Sequence, residues 1–291
     1  ASYDRTIRIW NANKGQEAHL LKGHSARVNC LAFSPDGSQI VGSGYGQKPR
    51  LWDAQKGELI RILTGHDKAI NSLAFNQDGT RIVSVTSGGE IKVQDPRTGQ
   101  VLLNFKGHSA PPSSVEYSSD GSRIFSADAD GLIKIWDARN GKELHTIRGH
   151  TRPIHRIARS PVGDIIASAS DDKTVKIWNG KDGQLELTLS GHVQPVFAIA
   201  FSPDGKRIVS ASWDKTFKVW STDRGEELSS FKGHTDTVFG VAFTSDGKRI
   251  LSSSANGIGK VWEAKTGQEL LSPTQQCRAL SMAVGPQSSR V

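Results

Sequence analysis

Residues 191–232 read GHVQPVFAIAFSPDGKRIVSASWDKTFKVWSTDRGEELSSFK, and this stretch decides the fold. Val196 to Phe201 is an apolar run. Ser-Pro-Asp-Gly, Ser202 to Gly205, then turns the chain, because proline presets φ and glycine accepts a positive one. Ile208 to Ser212 is a second strand, and Trp213-Asp214-Lys215 is a tight connection. Thr216 to Trp220 alternates, with Phe217 and Val219 on one face. Asp223-Arg224-Gly225 turns again before an outer strand from Glu227 to Phe231. Short strands with turn signals at about ten-residue spacing indicate an all-β repeat.

The pattern recurs along the chain. Gly-His ends at His24, His66, His108, His150, His192 and His234, a step of 42 residues each time. Trp10, Trp52, Trp136, Trp178, Trp220 and Trp262 fall on the same grid, with Gln94 in the one missing slot. A fixed period in this range means stacked supersecondary units that share a core. The units run over 24–65, 66–107, 108–149, 150–191, 192–233 and 234–275. The opening ASYDRTIRIW matches a third strand, and the closing ALSMAVGPQSSRV matches a first strand, a turn and the start of a second. A seventh, composite unit is therefore expected from 276–291 plus 1–23, with one residue lost near Gln275-Gln276. Closing a ring this way removes exposed sheet edges.

These units resemble the WD40 repeat family. The resemblance rests on Gly-His, on Ser-Pro-Asp-Gly, on the Ser-Ala-Ser-x-Asp-Lys-Thr stretch and on Ile135-Trp136-Asp137, and it covers essentially the whole chain. It implies an all-β, seven-bladed β-propeller of four-stranded antiparallel blades around a central channel. It also resembles the regular arrays attached to bacterial or fungal signalling proteins, where the array is a sensor or scaffold.

Composition fits one large all-β domain over 1–291: 36% hydrophobic residues and 30 glycines. No apolar run approaches membrane-spanning length. Cys30 and Cys277 are too few for a disulfide framework, so a reducing, cytoplasmic setting is expected. The chain starts inside a repeat, so an origin in a longer protein is expected. Net charge is +8. However, the slot two before the Trp is basic in all seven units (Arg8, Arg50, Lys92, Lys134, Lys176, Lys218, Lys260), which disperses the charge around the ring. A solvated surface is preferred to a polyanion site.

His150, Ser168 or Ser170, Asp172 and Trp178 invite comparison with a catalytic triad. The set recurs as His192, Ser210 or Ser212, Asp214 and Trp220, and as His108, Asp130 and Trp136. Enzymes rarely need several copies of a nucleophile in one domain. The resemblance implies a structural hydrogen-bond network instead, in which Asp accepts and the Trp indole donates. The network should fail where Gly46, Gly88 and Asn256 stand in the Asp slot, where Gln94 replaces Trp, and where Gln276 replaces His. Pro49 and Gly259 should weaken their third strands. Histidines spaced by 42 residues without paired cysteines do not suggest a metal site. Gly44–Gly46 lacks the strand–helix context of a phosphate loop. No cofactor is expected.

The Gly-His loop and the Asp turn must share one end of every blade, which in the WD40 family is the partner-binding top face. Two slots vary there without instruction from the fold. One, five residues after the His, holds Asn29, Asn71, Ser113, His155, Phe197 and Phe239, with Leu280 by alignment. The other, just before the Asp, holds Tyr3, Tyr45, Ser87, Ala129, Asp171, Trp213 and Ala255. Phe197, Trp213 and Phe239 should therefore cluster, with His155 and Asp171 beside them. Aromatic anchors of this kind serve as interface hot spots. Extension of the inter-blade core is the other reading. Tyr3 and Tyr45, with Arg27 and Arg278, form a second candidate patch.

The expected function is a monomeric, non-catalytic platform for a protein or peptide partner. A nucleic-acid-binding propeller would need a continuous basic stripe. An engineered or excised propeller would have no selected ligand. An enzyme would need a polar cluster in the channel confined to one blade, and none stands out in the sequence.

Overall fold

Each Gly-His unit folds as one sheet whose four strands lie in chain order. The pairing is antiparallel throughout, as short turns between consecutive strands require. The computed structural model describes residues 3–11, 14, 16–46, 48–272 and 282–285. Its inner strands are Val28–Phe33, Ile70–Phe75, Pro112–Tyr117, Ile154–Arg159, Val196–Phe201 and Val238–Phe243. Neighbouring inner strands pack side by side, so the sheets follow one another around a channel.

Burial falls from the middle of each blade to its rim. Arg207–Ser212, a second strand, is buried along nearly its whole length. The outer strand Leu59–Ile62 is exposed at every position. The core lies between blades: Val209, Phe217, Val219 and Phe231 of one sheet pack on Val238, Val241, Phe243, Ile250 and Trp262 of the next. Each such side chain contributes about 1.5–3 kcal/mol of transfer free energy. Trp52, Trp136, Trp178, Trp220 and Trp262 are therefore inter-blade core residues, while Trp10 is half-buried.

Among the described residues six complete blades are present, and not the seven expected. Ile7–Asn11 pairs with Gln16–Leu21 as a two-stranded sheet. The inner half expected from the C-terminus falls largely on 273–281 and 286–291, outside the described residues. Residues 282–285 form no strand. Met282 and Val284 nevertheless pack against Leu251 and Val261 of the sixth blade. Ala283 packs against the cluster of Ile7, Ile9 and Leu21. Pro49 shortens its third strand, which begins at Arg50: the pair that the other five blades form at this slot, such as Ala211 with Phe217, is missing from this ladder. Among the described residues there is no helix, and so none long and apolar enough to cross a membrane.

Every inner strand carries a register shift just after its first residue, for example between Ile154 and Arg156 and between Val196 and Ala198. The skipped residues are Asn29, Asn71, Ser113, His155, Phe197 and Phe239. A bulge leaves one residue outside the ladder and re-aims its side chain.

Candidate functional site

In the fourth blade Trp178 Nε1–H donates to Ser168 Oγ at 2.8 Å. Ser168 Oγ lies 2.7 Å from His150 Nε2, and His150 Nδ1 lies 2.7 Å from Asp172 Oδ2. The indole is a donor only and the carboxylate an acceptor, so the proton sits on Nδ1 and the chain runs Trp to Ser to His to Asp. The fifth blade repeats it through Trp220, Ser210, His192 and Asp214. Burial acts to raise the Asp172 and Asp214 carboxyls. Hydrogen bonds from His150 and Thr174, and from His192 and Thr216, outweigh it and hold both well below the usual range.

The third blade corrects one expectation. His108 Nδ1 pairs with Asp128 Oδ2 at 2.7 Å, not with Asp130. Asp128 stands at the end of the second strand, in the slot of Ser170 and Ser212. From there its other oxygen also accepts the N–H groups of Asp130 and Leu132. One side chain thus closes the turn and partners the histidine, while Asp130 is exposed. Trp136 and Ser126 complete this relay as elsewhere.

The remaining blades lose the relay in steps. His66 and His234 keep their serine partners, Ser84 and Ser252, but their Nδ1 atoms are unpartnered. Gln94 donates to the Thr64 carbonyl. His24 has no partner on either nitrogen. Gly42 occupies the serine slot of that blade, and a Cβ there would meet Ile7 Cδ1 at 2.4 Å.

Hydrogen bonds from Tyr45 N to Arg27 O, Asp171 N to Pro153 O and Trp213 N to Pro195 O place both variable slots at one end of the ring. There His155 stacks on Phe197 with ring centroids 4.0 Å apart. Phe197 stacks on Trp213 at 5.0 Å and meets Phe239 edge-on at 5.4 Å. Asp171 Oδ1 accepts from His155 Nε2 at 2.6 Å. Trp213 remains 47% exposed, while Phe197 and Phe239 are half-buried. The cluster thus spans three blades and stays partly open to solvent. On the other arc the same bulged slot is polar: Asn71 Nδ2 donates to the Pro112 carbonyl and Ser113 Oγ to that of Ile154. In the second patch the Arg27 guanidinium lies 5.7 Å from the Tyr3 ring and 5.2 Å from the Tyr45 ring. Arg278 and Leu280 lie outside the described residues.

Below the aromatic mouth lies the channel, a cavity of about 660 Å³ lined by all six blades and by 282–284. It contains charged residues that sequence reasoning missed: Glu116, Arg156 and Arg159. Alanine holds the Glu116 slot at positions 32, 74, 158, 200 and 242. A small residue holds the Arg156 slot (Cys30, Ser72, Ser114, Ala198, Gly240), and an aromatic holds the Arg159 slot (Phe33, Phe75, Tyr117, Phe201, Phe243). Comparing units slot by slot along the inner strand would have exposed all three. Burial pushes the Glu116 carboxyl up, offset in part by the charges of Arg156 and Arg159.

The template cations are engaged elsewhere. Arg8, Lys134, Lys218 and Lys260 pair with Glu17, Glu143, Glu227 and Glu269 on the adjacent outer strands. Among the described residues no group of His, Cys, Asp and Glu is placed to hold a metal ion. Burial pushes the Cys30 thiol up to about 12, which leaves it unreactive.

Consecutive four-stranded blades around a channel, pinned by a repeated Trp–Ser–His relay, define a repeat-built β-propeller. The chain belongs to the WD40 family (WD domain, G-beta repeat), which matches residues 15–53, 57–95, 99–137, 141–179, 183–221 and 225–263. Its propellers are commonly protein-interaction scaffolds and typically non-enzymatic. Coronin-7 of Rattus norvegicus is 49% identical over 41 residues, 14% of this chain and 4% of that protein. Coronin-7 of Homo sapiens is 44% identical over the same length and shares. The chain thus matches only a small fraction of the length of these relatives, about one repeat unit.

Proposed function

We propose that this chain is a non-catalytic interaction platform that captures an extended peptide segment of a protein partner at the top of the ring, over blades four to six. The observation that carries this is the Phe197, Trp213 and Phe239 cluster at the channel mouth, flanked by His155 and Asp171. Phe197 and Phe239 stand at bulged slots that hold asparagine or serine in other blades, so strand pairing does not require aromatics there. Partly exposed aromatic anchors beside hydrogen-bonding groups suit peptide recognition. Tyr3, Tyr45 and Arg27 extend the same face. The relay residues His108, Trp136, His150, Asp172, Trp178, His192, Asp214 and Trp220 are assigned a structural role. Several copies share one geometry, and none opens a reacting site.

A nucleic-acid role is less well supported, because five of the seven template cations, Lys92 with Glu90 among them, are paired to carboxylates. We also propose that both termini together form a seventh blade of a monomeric ring. The packing of Met282 and Val284 on one side and Ala283 on the other supports it.

The triple change Phe197→Ser, Trp213→Ser and Phe239→Ser tests the site. Partner capture should fall at least about thirtyfold, the size of a single good hot spot. Core truncations would instead cost about 3–5 kcal/mol of stability each. Retained capture of every partner, or collapse of the fold, would reject this surface.

A further inference from the structure

The channel beneath the mouth carries a charge that the fold does not ask for. In the slot of Arg156 other blades use a small group to bind their neighbour. Ser72 and Ser114 hydroxyls accept the N–H groups of Val115 and Ile157, and the Cys30 thiol faces the Ile70 carbonyl. Arg156 makes no such bond. Its side chain lines the cavity instead, and its charge reaches both Glu116 on the third blade and Cys30 on the first. Arg159, at the far end of the same strand, donates to Gln77 Oε1 of the second blade at 2.6 Å. For Arg156 no hydrogen bond or ion pair is found among the described residues.

Among the described residues, two guanidiniums and one carboxyl leave the channel with an excess of positive charge even when Glu116 is ionised. The wall also carries apolar side chains, including Leu31, Phe33, Phe201 and Val241. A low-dielectric wall focuses that field into the cavity. Arg156 is half-buried, and a partly desolvated guanidinium without a protein partner is ready to take an anion.

We propose that the channel is a receptor for a carboxylate, presented by the partner segment that crosses the aromatic mouth and held by Arg156. This rests on the top-face reading above and names the chemistry that the partner carries. A guanidinium matches a carboxylate in two parallel hydrogen bonds. His155, Phe197 and Phe239 would flank the chain that bears it. Glu116 sets the class of anion: it leaves little excess positive charge, enough for a monoanion and unfavourable for a phosphate dianion. The carboxylate can come from an acidic side chain or from a chain terminus.

The test uses four small probes: N-acetyl-glutamate α-amide, N-acetyl-phenylalanine, N-acetyl-glutamine α-amide and N-acetyl-phosphoserine α-amide. They are titrated while the Arg156 Nε–H and Trp213 indole signals are followed by NMR. At least one carboxylate should bind saturably in the millimolar range, and which one does identifies a side-chain or a terminal source. The neutral glutamine probe should not bind, and the phosphate should bind more weakly. Arg156→Ala should weaken the carboxylate roughly tenfold or more, as loss of a charge-assisted pair does. Ala198 in the same slot of blade five indicates that the fold accepts this change. Glu116→Ala, which restores the residue of the other blades, should strengthen binding several-fold, an effect that a purely structural carboxyl would not produce.

Equal binding by the neutral probe, equal binding by Arg156→Ala, tighter binding of the phosphate, or no saturable shift would each overturn the proposal. Running the triple aromatic variant alongside separates the two readings. Loss of partner capture there with no carboxylate effect sinks only the channel receptor. Unchanged capture there sinks the top-face reading whatever the probes show.

Discussion

A buried imidazole needs a partner at each nitrogen, and this ring supplies two, one or none. Asp172 receives His150 Nδ1–H together with the N–H and hydroxyl of Thr174. Asp172→Ala should therefore lower stability by about 1–3 kcal/mol, the cost of stranding buried donors. Gly88 holds the same slot in the second blade, with a φ outside the left-handed region and, near its absent Cβ, the flexible Lys68 chain at 3.4 Å and Thr86 Oγ1 at an ordinary 3.7 Å. Gly88→Ala should leave the urea midpoint nearly unchanged, and equal losses at the two sites would refute the relay as a source of stability. The under-partnered histidines make a separate prediction in pH. Burial above all holds His24, His66 and His234 down to about 4 from 6.5. The unfolded chain thus takes up these protons first. Stability should be full above about pH 6.5 and fall as pH drops towards 4. The relay aspartates, whose carboxyls are held down, add their loss only below about 3.8. Urea midpoints across that range should show the fall, and His24→Gln should flatten it.

Each turn between second and third strands needs one residue in the left-handed region. Gly89, Gly131 and Gly257 fill that slot in three blades, but Lys173 sits there at φ 72° and Lys215 at φ 69°. A side chain in this region carries backbone strain of about 1–2 kcal/mol. Glycine removes it but adds unfolded-state entropy. Lys215→Gly should therefore raise stability modestly, by up to about 1 kcal/mol, measurable as a higher melting temperature; a clear drop would mean the turn is not strained. The strands themselves were legible in the sequence, because turn chemistry and burial repeat with the period. The bulges were not, since a register shift needs the partner strand. That is why the slot of Phe197 could be read either as core or as rim, and why it proves to be partly both. The misassignment of Asp130 has a similar origin: the grid fixes where a carboxylate is expected, but Asp128 reaches the same nitrogen from two residues earlier.

The ring as a whole depends on its ends. Removing residues 280–291 should strip Met282, Ala283 and Val284 from between the last blade and Ile7. Loss of cooperative melting or of soluble monomer is expected, and a truncated protein that melts like the parent would rule out the composite blade. At this scale six complete repeats and their order were readable from the 42-residue grid, whereas the expected seventh shows only a two-stranded sheet among the described residues. The channel charges could have been found one by one as exceptions to their slots, but that Glu116 of the third blade shares one cavity with Arg156 and Arg159 of the fourth is visible only once the blades are in place. The bulge at the head of every inner strand has a last consequence. Stability is stored in the paired residues, while the skipped one answers to no ladder. A mutation at that point leaves the strand pairing of every blade intact, so the mouth can be rewritten letter by letter. Such a scaffold could exchange one partner for another through single substitutions, each intermediate still folded, and so drift in specificity without passing through an unfolded ancestor.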